Sequence, residues 1–246
     1  MILDGAEGPV EDGIASGTLK FSPDGEHFAY IGHVGDTSSV VEDGKRLGDY
    51  HAFGAGSPFF GPDGKQLIYF VHQDNKWFAV EDGTEGPAFD SIRGTPQFSA
   101  NGAHVAYCGG VGGKWTVVAD GTPGPTHHQI AVETVSYNSG GDHLVYAAED
   151  DQVWRVYLDG KAGDSYDIIA PGSPVWSPDG KHLVNFAEKG RQPALVFDGK
   201  EVSEFGVPVV GRSVVPTFNT DGTFEFLTSK ETVLYRVRVG GSHGSG

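Results

Sequence analysis

The sequence has little cysteine, little positive charge and no long apolar run. Its single cysteine, Cys108, excludes an intramolecular disulfide and fits a cytosolic protein or a secreted protein without disulfides. No apolar run reaches the ~18 residues of a membrane-spanning helix. The first residues, Met1-Ile2-Leu3-Asp4-Gly5, lack the pattern of a signal peptide.

Basic residues are scarce: 17 Lys and Arg stand against 33 Asp and Glu, for a formal net charge of -16. A nucleic-acid partner requires Lys and Arg to neutralise its phosphates, and an anionic membrane surface attracts the same residues. We therefore predict neither a nucleic-acid partner nor a membrane partner. Part of the acidity has a structural reason, because aspartate is favoured in tight turns and many of the acids lie in Asp-Gly pairs.

Glycine, by contrast, is plentiful, and it recurs with a period. Asp-Gly pairs place glycines 39, 39, 38, 39 and 39 residues apart, at Gly5, Gly44, Gly83, Gly121, Gly160 and Gly199. A second series of turn glycines has nearly the same period, at Gly25, Gly64, Gly102, Gly141, Gly180 and Gly222. Two independent markers with one period of about 39 residues indicate six internal repeats.

Each repeat reads as four short antiparallel strands. The second glycine series ends turns of the Ser-Pro-Asp-Gly type (Ser22–Gly25 and Ser177–Gly180 in full form), which suit a type I turn. An aromatic residue precedes each turn and an apolar run follows it; the aromatics are Phe21, Phe60, Phe98, Tyr137, Trp176 and Phe218. A third strand begins near 13 residues after the turn glycine and ends at the Asp-Gly pair, and a more polar edge strand follows.

We predict an all-β fold, a six-bladed β-propeller with four-stranded antiparallel blades. The last repeat lacks an outer strand, and residues 6–14 resemble that missing strand, so we expect them to join the C-terminal blade and close the ring. The single domain is expected to cover residues 1–240. Residues 241–246 have the composition of a linker or tag remnant, and the placement of residues 1–3 stays open.

The unit Phe-Ser-Pro-Asp-Gly-Lys/Glu-His-x-Ala-Tyr, followed by a strand and Asp-Gly, resembles the TolB-like, WD-repeat-like propeller repeats. The resemblance covers residues 1–240. It implies a bacterial propeller that binds protein, or a propeller domain of the kind attached to peptidases, and a periplasmic or secreted location, with a cytoplasmic one left open. The second half of the unit, clearest at Asp82 to Asp90, departs from the commonest TolB pattern.

The sequence contains no recognisable set of catalytic residues or metal ligands. The inner-strand starts carry small hydroxyls, at Thr18, Ser57, Thr95, Thr134 and Ser173, and only Glu133 adds a carboxylate nearby, whereas hard cations take about six to eight oxygen ligands. The recurrent histidines His27, His104, His143 and His182 occupy one position on different blades, so we interpret them as structural rather than as metal ligands. Glu149-Asp150-Asp151 lacks the spacing of a calcium loop. We predict no metal, no cofactor and no catalytic residue.

Binding residues are expected on the loops around the central channel, since loops on rigid scaffolds often carry function. Arg93 and Arg212 are the first choices, because a cation on an acidic protein suits a carboxylate or an acidic peptide. Glu133, His33 and His72 complete the candidate set. We predict a monomeric, non-catalytic scaffold that binds a protein or peptide. The alternatives are a metal-dependent hydrolase or lactonase-like enzyme, and an engineered or reassembled propeller without a natural function.

Overall fold

A computed structural model describes residues 2–3, 6–202, 218–219, 223–230 and 233–239. It divides into two compact units, Met1–Gly124 and Pro125–Gly246, which are described separately. The described residues form strands and turns without helices, and therefore none forms a helix long and apolar enough to cross a membrane. The prediction of an all-β fold is confirmed. The single domain over residues 1–240 stays a prediction.

The first unit contains a short hairpin, two larger antiparallel sheets and most of a third, whose last strand continues to His127 in the second unit. The hairpin pairs β1 (Ile2–Leu3) with β2 (Ala6–Glu7). The strands of the first sheet are β3 (Gly13–Ile14), β4 (Lys20–Phe21), β5 (Phe28–Val34), β6 (Thr37–Glu42) and β7 (Lys45–Arg46). Those of the second are β8 (Ala52–Phe53), β9 (Phe59–Phe60), β10 (Leu67–Gln73), β11 (Lys76–Glu81) and β12 (Thr84–Glu85). Those of the third are β13 (Ser91–Phe98), β14 (Val105–Val111), β15 (Lys114–Ala119) and β16 (Thr122–His127).

The second unit continues the same pattern. The strands of the fourth sheet are β17 (Gln129–Tyr137), β18 (Leu144–Asp150), β19 (Val153–Leu158) and β20 (Lys161–Tyr166). Those of the fifth are β21 (Ile168–Ile169), β22 (Val175–Trp176), β23 (Leu183–Lys189), β24 (Gln192–Phe197) and β25 (Lys200–Glu201). A last pair is formed by β26 (Phe224–Lys230) and β27 (Val233–Val239).

Every larger sheet is an antiparallel meander of an inner, a second, a third and an outer strand, each paired with the next in that order. The inner strand is continuous in β13 and β17, and elsewhere it is split into two short pieces that pair with the same second strand. This is the four-stranded antiparallel form of a propeller blade. Because β3 pairs with β5, residues 13–14 belong to the first sheet. The six-blade count and closure of the ring by the preceding residues stay predictions.

The backbone conformation of the Asp-Gly turns accounts for the choice of aspartate and glycine there. The aspartates are in the left-handed region, with φ between 47° and 49°, and each is followed by a glycine of positive φ, which suits a type I′ hairpin turn. In each larger sheet one carboxylate oxygen also accepts the N–H of the first residue of the second strand, as Asp159 does from Leu144 at 2.9 Å. Aspartate therefore supplies both the backbone conformation and a tie between strands.

The other turn glycines have a steric reason. A Cβ on Gly64 would lie 2.4 Å from the carboxylate of Asp24, and one on Gly102 would lie 2.5 Å from that of Asp63. In the second unit a Cβ on Gly180 would meet the hydroxyl of Ser139 at 2.5 Å. Each of these glycines thus packs directly against the turn of the preceding repeat, and a side chain would separate the two turns.

The core lies between successive sheets and is built on one recurring contact, which we call the groove pair. A residue at the end of one repeat's outer strand faces a residue in the middle of the next repeat's second strand. Ring contacts join Tyr50 with Tyr69, Phe89 with Tyr107, and His127 with Tyr146. At the corresponding places of the other sheets, Glu11 acts electrostatically on Tyr30, and Tyr166 and Asn185 line one groove. The four tyrosines on the second strands are at most 2% exposed. Four of the five second-strand positions thus carry a buried tyrosine, and the fifth carries Asn185.

Candidate functional site

The predicted binding residues His33 and His72 lie at equivalent positions near the ends of β5 and β10. The Nδ1 atom of His33 is 2.6 Å from the hydroxyl of Ser38, its cross-strand partner. His72 instead packs its ring against Trp77, with 5.1 Å between ring centroids. Both histidines are half-buried and engaged with the next strand of their own sheet.

Arg93 has a different environment. It is an exposed residue of β13, and its guanidinium carbon lies 3.9 Å from the centroid of the Trp115 ring on β15. This is a close cation–π contact, since such contacts extend to about 6 Å. Arg93 forms no ion pair with any residue in the described part of the chain. The other described inner strands have Ala15, Gly54, Ala131 or Ala170 at this position, so among the repeats whose inner strand the structure describes only the third places a cation here.

The stack of Arg93 on Trp115 is possible because Gly110 has no side chain. Trp115 is paired across the strands with Gly110, where a Cβ would lie 3.0 Å from the indole ring. The indole can therefore lie over β14 and reach Arg93 on the far strand. The equivalent tryptophans are opposed by larger residues: Trp77 by His72 and Trp154 by Glu149. Gly110 is thus the sequence signal that separates this tryptophan from its repeats.

The hairpin beside the stack is held by an ionic brace. One carboxylate oxygen of Asp90 is 2.6 Å from the Lys76 ammonium, and the other accepts the Gly112 N–H at 2.8 Å. The hydrogen bond from Lys76 lowers the pKa of Asp90, and the one from Gly112 adds to the effect. The brace occupies Lys76 and leaves Arg93 as the cation that the indole presents to solvent.

Cys108, the cross-strand partner of Arg93, lies in the wall behind the stack. It is 1% exposed, and burial raises the pKa of its thiol to about 12, against the smaller opposing effect of the Arg93 charge. A buried, protonated thiol is inert as a nucleophile. Cys108 therefore serves the packing of β14.

The remaining predicted residues lie elsewhere. Glu133 is exposed in the second unit, at the break in register between Ala131 and Ser136, and takes the place of glycines such as Gly56 and Gly172. Arg212 lies outside the described residues. Within the first unit, no hydrogen bond or ion pair joins His33, His72 and Arg93 in the part that the structure describes.

The recurrent histidines bind aspartate. The Nδ1 atoms of His27, His104, His143 and His182 lie 2.6, 2.7, 2.8 and 2.7 Å from carboxylates of the Asp-Gly turns. In the second repeat Gln66 replaces the histidine and donates to Glu81 at 2.6 Å. Among the described residues, no three His, Cys, Asp or Glu side chains form a group that could hold a metal ion. The histidines stabilise the turns of the blades.

The inner-strand hydroxyls have a structural role too. Thr134 accepts the N–H of Ala147 at 2.8 Å and donates to the carbonyl of Ala131 at 2.6 Å. Thr18, Ser57 and Ser173 accept the corresponding N–H of their own second strands. Each hydroxyl replaces the strand partner that is lost where the inner strand breaks, so a buried N–H stays satisfied.

The chain is similar to several solved structures, which include a TolB protein, in agreement with the resemblance of its repeats. It is 14% identical to TolB from Acinetobacter baumannii. The alignment covers 77% of this chain and 53% of the TolB chain, with a TM-score of 0.39. For the β-propeller domain of the Trilobed protease from Pyrococcus furiosus the identity is 14%, the coverages are 95% and 83%, and the TM-score is 0.43. For the acylaminoacyl peptidase of Pyrococcus horikoshii the identity is 13%, the alignment covers 87% of this chain and 42% of the peptidase, and the TM-score is 0.36.

The chain thus spans about half of the TolB chain, 53%, and less of the peptidase, 42%. No protein-family profile and no curated protein sequence matches it. Similarity at this level assigns no activity to the chain, and the function has to be argued from the residues.

Proposed function

We propose that this protein is a non-catalytic scaffold that binds a carboxylate-bearing peptide through Arg93 on Trp115. The observation that carries the proposal is the 3.9 Å stack of an exposed guanidinium that has no described carboxylate partner. The peptide group is either a C-terminal carboxylate or an Asp or Glu side chain. A monomeric protein in the periplasm or outside the cell is part of the same proposal.

The geometry suits this chemistry. Guanidinium N–H donors lie in the plane of the group, so an indole on one face leaves them available to a carboxylate. The stack also holds the guanidinium in one orientation before the ligand arrives, which reduces the conformational entropy lost on binding. On a chain of net charge -16, an unpaired arginine is a local attraction for an anion that the rest of the surface repels.

The test compares peptides that differ only in charge. Fluorescein-labelled peptides from a random library, each with a free C-terminal carboxylate, are titrated with the protein. The affinity of the best binder is then measured again for two neutralised forms of the same peptide. One form has a C-terminal amide, and the other has Asn and Gln in place of Asp and Glu. We expect Arg93→Gln to weaken binding by about 10- to 100-fold, as for the loss of hydrogen bonds to a charged group. Arg93→Lys should recover only part of the affinity, because lysine lacks the planar fork.

Arg191→Gln is the matched control, since it removes an exposed arginine that has no stacked ring among the described residues. We expect it to leave binding unchanged. Equal affinity of the free and neutralised peptides, or of native protein and Arg93→Gln, would reject the proposal. Stoichiometric metal together with chelator-sensitive hydrolysis of a lactone would support the alternative enzyme instead.

A further inference from the structure

A short segment of the first unit, residues 10–14, lies along the first sheet, and we call it the strap. Its last two residues form β3 and pair with His33 and Gly32. Just before them, the N–H of Asp12 donates to the carbonyl of His33 at 2.8 Å. The strap also places the Glu11 side chain in the groove beside Tyr30. The residues at the corresponding place in the other grooves are all aromatic: Tyr50, Phe89, His127 and Tyr166.

The carboxylate of Glu11 is held by a pocket that suits an acid. Its side chain is 4% exposed, and its Oε2 atom lies 2.5 Å from Nη2 of Arg46. The same nitrogen donates to the carbonyl of Val10 at 3.3 Å, while Nη1 lies 3.8 Å from the Asp49 carboxylate. Gly32 provides the space, because a Cβ there would lie 2.5 Å from the Glu11 carboxylate. A guanidinium and a missing side chain together select an acidic residue.

The next residue of the strap is an acid too, and the first sheet binds it separately. The Oδ2 atom of Asp12 accepts the N–H of Gly35 at 2.8 Å, in the turn between β5 and β6. Gly35 has a φ of 56°, a left-handed conformation that glycine adopts readily. The sheet thus binds two successive acids, the first through Arg46 and the second through a backbone N–H. With the backbone pairing to β5, these contacts specify an extended segment that has Glu followed by Asp.

The strap is bound less completely than the residues that fill the next two grooves. Tyr50 and Phe89 each exchange two backbone hydrogen bonds with the third strand of their own sheet, at 2.8 to 3.1 Å. Glu11 makes no backbone hydrogen bond to any residue that the structure describes. The second oxygen of its carboxylate, Oε1, is buried and has no hydrogen-bond partner among those residues. A buried acceptor without a donor is unfavourable, so the strap is open to competition.

We propose that this part of the first sheet is a second peptide site, which binds an extended segment of a partner protein that has Glu followed by Asp. The strap occupies the site in the free protein and is displaced by the partner segment, so it acts as an internal competitor. Exchange with the strap of a second copy would gain no contact, which favours a partner protein as the occupant. The site is independent of Arg93, and therefore either proposal can fail alone.

The rest of the chain does not compete for the site in the same way. Two further stretches have the sequence Val-Glu-Asp-Gly of residues 10–13, at 41–44 and 80–83. Their aspartates, Asp43 and Asp82, are fixed in Asp-Gly turns with φ of 47°, and both stretches are therefore bent where the site requires an extended backbone.

The probe is a peptide with the sequence of residues 8–15, labelled with fluorescein at its N-terminus and amidated at its C-terminus, so that it has no terminal carboxylate. Its affinity is measured by fluorescence anisotropy. Glu11→Gln weakens the strap, and we expect this variant to bind the peptide about tenfold more tightly than the native protein. Adding Arg46→Gln to the variant should weaken binding by about 10- to 100-fold. Adding Arg93→Gln instead should leave it unchanged, which separates this site from the proposed function.

A second peptide keeps the test valid if the Arg46 variant does not fold. With Gln in place of its Glu, the peptide should bind the Glu11→Gln protein about tenfold more weakly. Glu42→Gln is the matched control, because it neutralises the glutamate of another Val-Glu-Asp-Gly stretch and should leave peptide affinity at the native value. Equal affinity of the native and Glu11→Gln proteins, or of the two peptides, would overturn the proposal. A dimer formed by exchange of straps, detected by size-exclusion chromatography, would overturn the choice of a partner protein.

Discussion

The fourth and fifth repeats differ at one groove position, while their backbones are alike. Tyr146 stacks on Tyr157 at 5.1 Å and packs against His127 at 5.8 Å, so the groove at the fourth sheet is full. At the fifth sheet Asn185 is paired with Val196, and a cavity of about 760 Å³ opens beside Tyr166. The same strand pairing thus carries either a packed core or a cavity.

The turns account for what the two repeats share. His143 with Asp159 and His182 with Asp198 have nearly equal distances, 2.8 and 2.7 Å, and each aspartate holds the first N–H of its second strand. Thr134 and Ser173 satisfy the corresponding backbone N–H at the inner-strand break. Blade geometry therefore depends on turn and hydroxyl contacts, and the side chain in the groove can change without altering it.

The largest effect is expected from making the fourth groove like the fifth. Tyr146→Asn removes a ring that is 2% exposed and leaves its neighbours unsupported. We expect the free energy of unfolding to fall by about 3 kcal/mol, as for other truncations of buried aromatic residues. Urea titration followed by fluorescence measures this loss. Tyr146→Phe keeps the ring and should cost much less; an unchanged urea midpoint for Tyr146→Asn would contradict the packing argument.

The next effect concerns the inner-strand break that both repeats share. Thr134→Val keeps the shape of a buried side chain but leaves the Ala147 N–H without its acceptor. We expect a loss of about 1 to 3 kcal/mol from the unsatisfied N–H. Thr134→Ser, which keeps the hydroxyl, is the control for the same urea experiment. Equal stability of the valine and native proteins would show that the backbone finds another acceptor.

A smaller effect is expected from the histidine–aspartate contact. The hydrogen bond to Asp159 raises the pKa of His143 above its usual value, since it favours the charged ring. Because the folded-state pKa is the higher one, the stabilisation is fully present below about pH 6.5 and is lost as the pH rises through the raised pKa. For an exposed pair it should not exceed about 1 kcal/mol.

NMR titration of the His143 ring protons measures this pKa directly. His143→Gln copies the natural Gln66 of the second repeat, and its stability should lose the pH dependence between about pH 6 and 8 that the native pair contributes. A titration midpoint below the value of a free histidine would contradict the expected direction.

The smallest effect is expected from the Tyr166 hydroxyl in the unliganded protein. It is buried and has no described partner, so Tyr166→Phe removes an unsatisfied hydroxyl and should not lower the free energy of unfolding. Urea titration without ligand makes the measurement, with Thr134→Val as the positive control. A loss above about 1 kcal/mol, the scale of a lost hydrogen bond, would mean that the hydroxyl is hydrogen-bonded in solution.

The sequence predicted the blades because their signals are local. Asp-Gly pairs require positive φ and mark the hairpins, and the Ser-Pro-Asp-Gly turns and alternating runs mark the strands, as β17 to β20 show. The candidate site was predicted in part. Arg93 could be chosen from its charge and its place on an inner strand. Its stack on Trp115 depends on Gly110, and three neighbouring strands are needed to bring these residues together.

The sequence by itself determined the all-β class, the repeat, the turn positions and the scarcity of cations, because each depends on residues close in the chain or on composition. Only the tertiary structure decided which side chains share a space. Asn185 departs visibly from the repeat's tyrosine, yet the cavity beside it is formed where residues from three different strands meet. Packing is non-local, and a repeat alignment alone does not contain it.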